Sequence, residues 1–108
     1  KNVQNFTYIG QGTVFGKIKY LLKQKDYIDI NNKIICIERA DPGFDFIFSY
    51  QIKGLITKYG GANSHMAIRC LELDIPAIIG IGQNGFDKIC NSNFIEFDCE
   101  QKTFKIIN

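Results

Sequence analysis

The sequence of 108 residues lacks the features that identify several classes of protein. It contains no apolar run near the ~20 residues that a membrane-spanning helix requires, and no segment typical of a signal peptide. It has one histidine, and its four cysteines form no C-x-x-C pair, so the clustered ligands of a zinc site are missing. A net charge of +2 without a basic run argues against a nucleic-acid partner. These absences predict a cytoplasmic protein with reduced thiols and no metal site or membrane contact.

The composition is that of an ordinary globular chain, with an apolar fraction of 45% and a charged fraction of 22%. The length allows one domain. Cys36 lies in an apolar, strand-like segment and Cys70 on the apolar face of a predicted helix, so both thiols are expected to be buried. Because the chain begins at Lys1 and not at methionine, we expect residues 1–108 to be one domain excised from a larger multidomain protein.

The apolar pattern predicts an α/β domain in which strands and helices alternate. Asp41 and Pro42 predict the start of a helix over Phe44–Ile52, and Ser64 predicts the start of a second helix at His65. Strand, helix, strand, helix, strand from residue 33 to residue 79 is typical of a parallel sheet with right-handed crossovers. The last two predicted strands alternate apolar and polar residues around a short turn, which indicates a β-hairpin. The predicted strands are Phe6–Ile9, Gly10–Tyr20, Lys33–Glu38, Gly54–Thr57, Ala77–Ile79, Asn93–Asp98 and Thr103–Ile107.

The segment Gly80–Gly85 satisfies the G-x-G-x-x-G pattern of dinucleotide-binding sites. Such a site needs a strand before the glycines and a full crossover helix after them. Only Phe86–Ile89 has room to be helical before the next predicted strand. We therefore interpret this segment as a loop that turns the chain.

The single histidine lies in the most informative stretch, Tyr59–Arg69. Two glycines, Gly60 and Gly61, precede Ser64, which is a good N-cap, so His65 falls in the first turn of a helix. At ~100° per residue His65 lies opposite an arc that we expect to be buried. Its apolar members are Met66, Ala67, Cys70, Leu71 and Leu73, with Asp74 on the same arc.

A histidine at a helix start is suited to phosphate chemistry. Unpaired N–H groups and the positive end of the helix dipole favour an anion beside the ring, and the same field favours a neutral, nucleophilic imidazole. Arg69 lies one turn further along the same face, where it could neutralise a phosphoryl group. Spacing alone also leaves open the alternative of a surface histidine without a chemical role.

Two sequence motifs around His65 make the functional prediction more specific. Thr57–Ile68 and Glu72–Gly80 match the patterns T-x-x-G-G-x-x-S-H-x-A-I and E-L-x-I-P-A-x-x-G at every fixed position. This stretch resembles the phosphohistidine signature of the PEP-utilising enzymes, which include phosphoenolpyruvate synthase, pyruvate phosphate dikinase and the rifampicin phosphotransferases. The resemblance implies that His65 carries a phosphoryl group, with Ser64 as a catalytic residue and phosphate bound at Gly60, Gly61, Asn63 and Ser64. Arg69 is a further catalytic candidate because of its spacing from His65.

The resemblance also implies the swivelling β/β/α fold, with a central parallel sheet, an antiparallel layer and helices on one side. In that family the domain carries phosphate between an ATP-grasp nucleotide-binding domain and a second substrate domain, so the chain alone is not a complete enzyme. The sequence has neither a Walker-type lysine loop nor an acidic magnesium cluster. ATP and Mg²⁺ are therefore expected in partner domains of the same protein, with no cofactor in this one.

Two positions depart from the family pattern. Leu71 stands where many members have an arginine, and Arg69 is the candidate replacement. Asn63 stands where pyruvate phosphate dikinases have a regulatory threonine, which excludes control by threonine phosphorylation there. The resemblance leaves two alternatives to a phosphotransferase domain: a free-standing phosphocarrier that acts as an interaction module, and a degenerate structural domain that carries no phosphate.

Overall fold

A computed structural model describes residues 6–22 and 29–108 of the chain. These residues form one seven-stranded sheet with the strand order β1-β5-β4-β3-β2-β6-β7. The strands are β1 Thr7–Ile9, β2 Thr13–Tyr20, β3 Lys33–Ile37, β4 Gly54–Thr57, β5 Ala77–Ile79, β6 Phe94–Asp98 and β7 Thr103–Ile107. Within the described ranges, three helices accompany them: a 3-10 helix over Pro42–Ser49, α1 over His65–Leu73 and α2 over Gln83–Cys90. The predicted α/β class is confirmed.

The centre of the sheet is parallel. Strand β3 pairs with β2 on one side and β4 on the other, and β4 pairs with β5, with Cys36 opposite Ile56 and Ile56 opposite Ile78. Strands β3, β4 and β5 are nearly continuous apolar runs, as expected where both faces of a parallel sheet are covered. The predicted strand–helix–strand–helix–strand order from β3 to β5 is therefore confirmed.

The antiparallel strands extend this sheet on both sides. Strand β1 pairs antiparallel with β5, and β6 joins β2 to β7 through two antiparallel ladders. The predicted C-terminal hairpin is confirmed, with Phe97 opposite Phe104. The antiparallel strands are thus hydrogen-bonded to the parallel ones in a single sheet.

Each face of the sheet has its own core. On one face the 3-10 helix and α1 pack on the central strands, with Ile47, Met66 and Cys70 fully buried. On the other face α2 packs through Phe86 and Ile89 against a cluster that includes Phe97 of the hairpin. The helices thus occupy both faces, and the implied arrangement with helices on one side is wrong. Over the described residues, none of the helices is both long and apolar enough to cross a bilayer.

The helix boundaries differ from the predicted ones in two places. Asp41 caps the first helix as predicted, since its carboxylate accepts a hydrogen bond from Gly43 N at 2.9 Å, but the helix is 3-10 and ends at Ser49. The predicted loop after β5 contains a complete helix, α2, that begins at Gln83. Phe86 and Ile89 are one turn apart on its buried side, and this burial outweighs the poor helix propensity of Gly85.

The buried arc of α1 is narrower than predicted. Met66, Ala67 and Cys70 are buried, but Leu71 is 67% exposed and Leu73 is 42% exposed. Met66, Cys70 and Ala67 occupy the middle of the predicted arc, whereas Leu71 and Leu73 lie at its two ends, so the layer beneath α1 covers only the middle of the arc. The prediction that Leu71 belongs to the core is wrong. The predicted burial of the Cys36 and Cys70 thiols is confirmed.

Candidate functional site

The candidate site lies where β3 and β4 end. Because these strands are parallel neighbours, the segments that follow them emerge at the same edge of the sheet. The segment after β3 leads into the 3-10 helix, and the segment after β4 leads through Gly60 and Gly61 into α1. The two helices also contact each other on that face. Side chains from both crossovers therefore meet at the start of α1.

The loop before α1 is fixed by backbone contacts. Gly60 has φ +120°, and a Cβ there would lie 2.7 Å from the Cβ of Ala40. A Cβ on Gly80 would lie 2.2 Å from the carbonyl oxygen of Gly60. Thr57, which is fully buried, accepts a hydrogen bond from Gly80 N through Oγ1 at 2.9 Å. The loop before His65 is thereby connected to the end of β5.

Ser64 caps α1. Its hydroxyl donates to Gly61 O at 2.8 Å and accepts from Ala67 N at 3.4 Å, and its own backbone N–H donates to Gly61 O. Within residues 6–22 and 29–108, no acceptor faces the N–H groups of His65 and Met66. These two donors point out of the helix start, where the helix dipole also favours an anion.

His65 is hydrogen-bonded to an aspartate from the other crossover. Its Nε2 lies 2.9 Å from Oδ1 of Asp45, a residue in the first turn of the 3-10 helix. The His65 side chain is 37% exposed and that of Asp45 is 45% exposed, so solvent and ligands reach the pair. The predicted accessibility of His65 is confirmed.

Arg69 belongs to the same cluster. Its Nε lies 3.6 Å from Oδ1 of Asp45, and its NH1 atom donates to Glu72 at 3.3 Å. The guanidinium also lies over the ring of Phe48, 5.4 Å from its centroid, which is a cation–π geometry. These contacts hold Arg69 on the face of α1 that carries His65.

The other residues predicted for phosphate binding lie in the loop before His65. Gly60, Gly61 and Asn63 are exposed. A Cβ on Gly61 would meet nothing within 4 Å, so the surface above it is open to a ligand. The backbone N–H of Ser64 already donates to Gly61 O within the loop. Among the backbone N–H groups predicted to bind phosphate, that of Ser64 can bind a ligand only after its hydrogen bond to Gly61 O has broken.

Cationic side chains flank the loop on the strand side. Arg39 follows β3 and Lys58 follows β4, and both approach the exposed ring of Tyr59, at 5.8 and 5.2 Å from its centroid. Their positive charges add to the potential around the helix start. In the described ranges, no three acidic, cysteine or histidine side chains converge as a metal site requires.

Asp45 is the site residue that the motif analysis missed. It lies outside both motif segments, 20 residues before His65, on a helix that was interpreted only from its apolar and aromatic side chains. The predicted sheet did contain a signal for Asp45, because the first helical turns that follow two adjacent parallel strands meet at one edge of the sheet. A search of those first turns for polar residues would have included Asp45.

The chain matches known proteins over most of its length. Residues 29–102 match the family described as PEP-utilising enzyme, mobile domain. The rifampicin phosphotransferase of Bacillus cereus is 32% identical over 73 residues, which are 68% of this chain and 8% of that protein. The phosphoenolpyruvate synthase of Aquifex aeolicus is 30% identical over 95 residues, 86% of this chain and 11% of that protein. The chain thus spans about a tenth of the length of these relatives. It belongs to the PEP-utilising enzyme mobile domain family.

Proposed function

We propose that the chain is the phosphoryl-carrier domain of a phosphotransferase and that His65 is its phosphorylated residue. The observation that supports this most directly is the placement of His65. A half-exposed imidazole stands at the helix start beside two N–H donors that have no acceptor among the described residues, with Arg69 one turn away. Dipole, N–H groups and guanidinium all favour a dianionic group bonded to the ring.

The proposed reaction is an exchange of one bond for another. A lone pair of the His65 ring forms a nitrogen–phosphorus bond while the bond from phosphorus to the donor's leaving oxygen breaks, and that oxygen departs with the electron pair. Transfer to an acceptor reverses these roles. The domain contributes a positioned nucleophile and charge stabilisation, and positioning with electrostatic stabilisation dominates phosphoryl transfer.

The surrounding residues have distinct proposed parts. Backbone groups of Gly60, Gly61 and Asn63 border the phosphoryl position, and the open surface above Gly61 allows a close approach. Ser64 holds the helix start in place as its cap. Arg69 neutralises the negative charge of the phosphoryl oxygens. In this proposal it takes the role of the arginine that many family members have at the position of Leu71.

The remainder of the transfer requires other domains. We propose that residues 1–108 form one mobile domain within a longer protein, because the matched residues are only about a tenth of each relative. An ATP-grasp domain would hold ATP and Mg²⁺, and a second domain would hold the phosphoryl acceptor. The names of the relatives, rifampicin phosphotransferase and phosphoenolpyruvate synthase, indicate that the acceptor differs between members.

Loading with phosphoramidate, a small phosphoryl donor, tests the carrier function without partner domains. The folded protein should gain one acid-labile, base-stable phosphoryl group, and it should gain it faster than N-acetylhistidine does under the same conditions. Unfolding in urea should abolish this acceleration, and His65→Ala should remove the phosphoryl group. Loading no faster than N-acetylhistidine, or phosphate retained in His65→Ala, would overturn the proposal.

A further inference from the structure

We propose that Asp45 is a positioning residue that holds His65 in its unphosphorylated state and raises the transfer potential of the phosphoryl group. This inference rests on the proposed function and adds a regulatory element to the same site. It starts from the 2.9 Å contact between Asp45 Oδ1 and His65 Nε2, which joins the two crossovers at the sheet edge.

The contact fixes the tautomer of the ring. An ionised carboxylate only accepts hydrogen bonds, so Nε2 of His65 must be the donor. In the neutral imidazole the proton is therefore on Nε2 and the lone pair is on Nδ1. The proposed attacking nitrogen is Nε2, which extends furthest from the backbone of α1 and reaches Asp45 on the neighbouring crossover.

Phosphorylation at Nε2 is incompatible with this contact. The nitrogen has no lone pair while it carries the proton, and the carboxylate occupies the direction from which phosphorus must approach. Before attack the proton moves through water from Nε2 to Nδ1, and Asp45 moves away. The Nε2 lone pair then forms the bond to phosphorus, the donor's leaving group departs with its electron pair, and the proton remains on Nδ1.

Arg69 connects the two states. Its Nε lies 3.6 Å from the Asp45 oxygen that binds His65, so one guanidinium faces both the carboxylate and the position of the phosphoryl group. A phosphoryl group on His65 would compete with Asp45 for Arg69 and repel its negative charge. Both effects raise the free energy of the phosphorylated state relative to the resting state. Asp45 thereby favours transfer from His65 to an acceptor.

The tautomer is measurable because the chain has one histidine. Long-range ¹H–¹⁵N spectra of the 108-residue protein should show His65 with its proton mainly on Nε2. In Asp45→Ala the population should shift toward the Nδ1–H form. Glu72→Gln is the matched control, since Glu72 also pairs with Arg69 but has no contact with His65, and it should leave the tautomer unchanged. A purely structural role of Asp45 would not alter the tautomer.

The transfer potential is measured from loading and discharge. With phosphoramidate as donor and free imidazole as acceptor, Asp45→Asn should load faster and discharge more slowly, which together favour the phosphorylated form roughly five- to tenfold. The effect should shrink as salt is added. Glu72→Gln should stay within about twofold of the wild type, as expected for an exposed pair. Thermal unfolding of each variant should show a folded domain, since Asp45 is 45% exposed.

Each outcome is decisive for one of the two proposals. An unchanged tautomer in Asp45→Ala, or an equal or smaller phosphorylated fraction in Asp45→Asn, would overturn the role of Asp45. A phosphoryl group on Nδ1 would also overturn it, because Asp45 would then stabilise the loaded ring through Nε2. In all these cases His65 would still be loaded in the wild type. Failure of the wild type to load would overturn the carrier function itself.

Discussion

Gly80 lies against the backbone of Gly60, so closely that a Cβ on Gly80 would be 2.2 Å from the Gly60 carbonyl oxygen. Gly80 has φ +76°, and its N–H donates to both the backbone oxygen and the hydroxyl of Thr57. The end of β5 and the loop before His65 are thus in direct main-chain contact. A methyl group between them would displace the loop that positions the histidine.

Gly80→Ala should therefore destabilise the domain strongly, by about 3 kcal/mol or more, through the clash and a positive φ that costs 1–3 kcal/mol by itself. Gly82→Ala is the matched control, because Gly82 also has a positive φ, +89°, but a Cβ there would meet nothing within 4 Å. Urea unfolding gives the free energy of unfolding of each variant, and the difference between the two losses measures the cost of the clash at Gly80. Equal losses of unfolding free energy in the two variants would show that the backbone around Gly80 and Gly60 accommodates the added methyl group without a loss of stability.

Helix α1 offers a test of which side chains form the core. Met66→Ala should cost 2–5 kcal/mol because Met66 is fully buried. Leu71→Ala should change the free energy of unfolding by less than about 0.5 kcal/mol, because Leu71 is 67% exposed. Chemical denaturation measures both values. A large loss in Leu71→Ala would place that side chain in the core, as the helical periodicity alone predicts.

Arg69 should contribute more to phosphoryl transfer than to stability. Its pairs with Asp45 and Glu72 are partly exposed and its contact with Phe48 is a single cation–π pair, so Arg69→Ala should cost about 1 kcal/mol in unfolding. Loading of His65 by phosphoramidate should slow roughly tenfold through loss of charge-assisted hydrogen bonds to the phosphoryl oxygens. Lysine at this position should restore part of the rate, because it supplies charge without the planar fork. Wild-type loading in Arg69→Ala would mean that the helix N–H groups suffice.

The turn between β6 and β7 should weaken in acid. The Asp98 carboxylate accepts from the backbone N–H groups of Gln101 and Glu100 at 3.0 and 2.9 Å, and these bonds hold its pKa below the ordinary value of 3.8. A carboxyl group whose pKa is lower in the folded state stabilises the fold above its ordinary pKa, and this contribution disappears as the pH falls through the folded value. Asp98→Asn should be less stable at neutral pH and should lose less stability as the pH falls below about 4. Parallel pH profiles of the two proteins would contradict this assignment.

The alternating strands and helices from β3 to β5 were predictable because apolar runs, caps and glycines all indicated the same elements. Gly54–Thr57 and Ala77–Ile79 were predicted with their observed bounds. The exposure of Leu71 was not predictable from helical phase, since phase gives an apolar arc but not the part of it that the sheet covers. Helix α2 was predicted to be at most Phe86–Ile89 because little chain remains before the next strand, whereas burial of Phe86 and Ile89 stabilises a helix over Gln83–Cys90.

Only the site residues that lie within the motif around α1 could be predicted from the sequence. Ser64 as cap, His65 at the helix start and Arg69 on the same face follow from spacing within one helix, and the structure places them so. Asp45 lies on another crossover, and its contact with His65 depends on the pairing of β3 with β4 and on the angle between two helices. Neither is encoded in a local pattern.

The division of the site between two successive crossovers links its chemistry to folding. Asp45 precedes β4 and His65 follows it, so the pair can form only when β3, β4 and β5 are paired and both crossovers are docked on one face. Local opening of either crossover separates the carboxylate from the imidazole while leaving each segment intact. The tautomer of a single histidine ring therefore reports whether a three-stranded unit, contributed by about half of the chain, is cooperatively assembled.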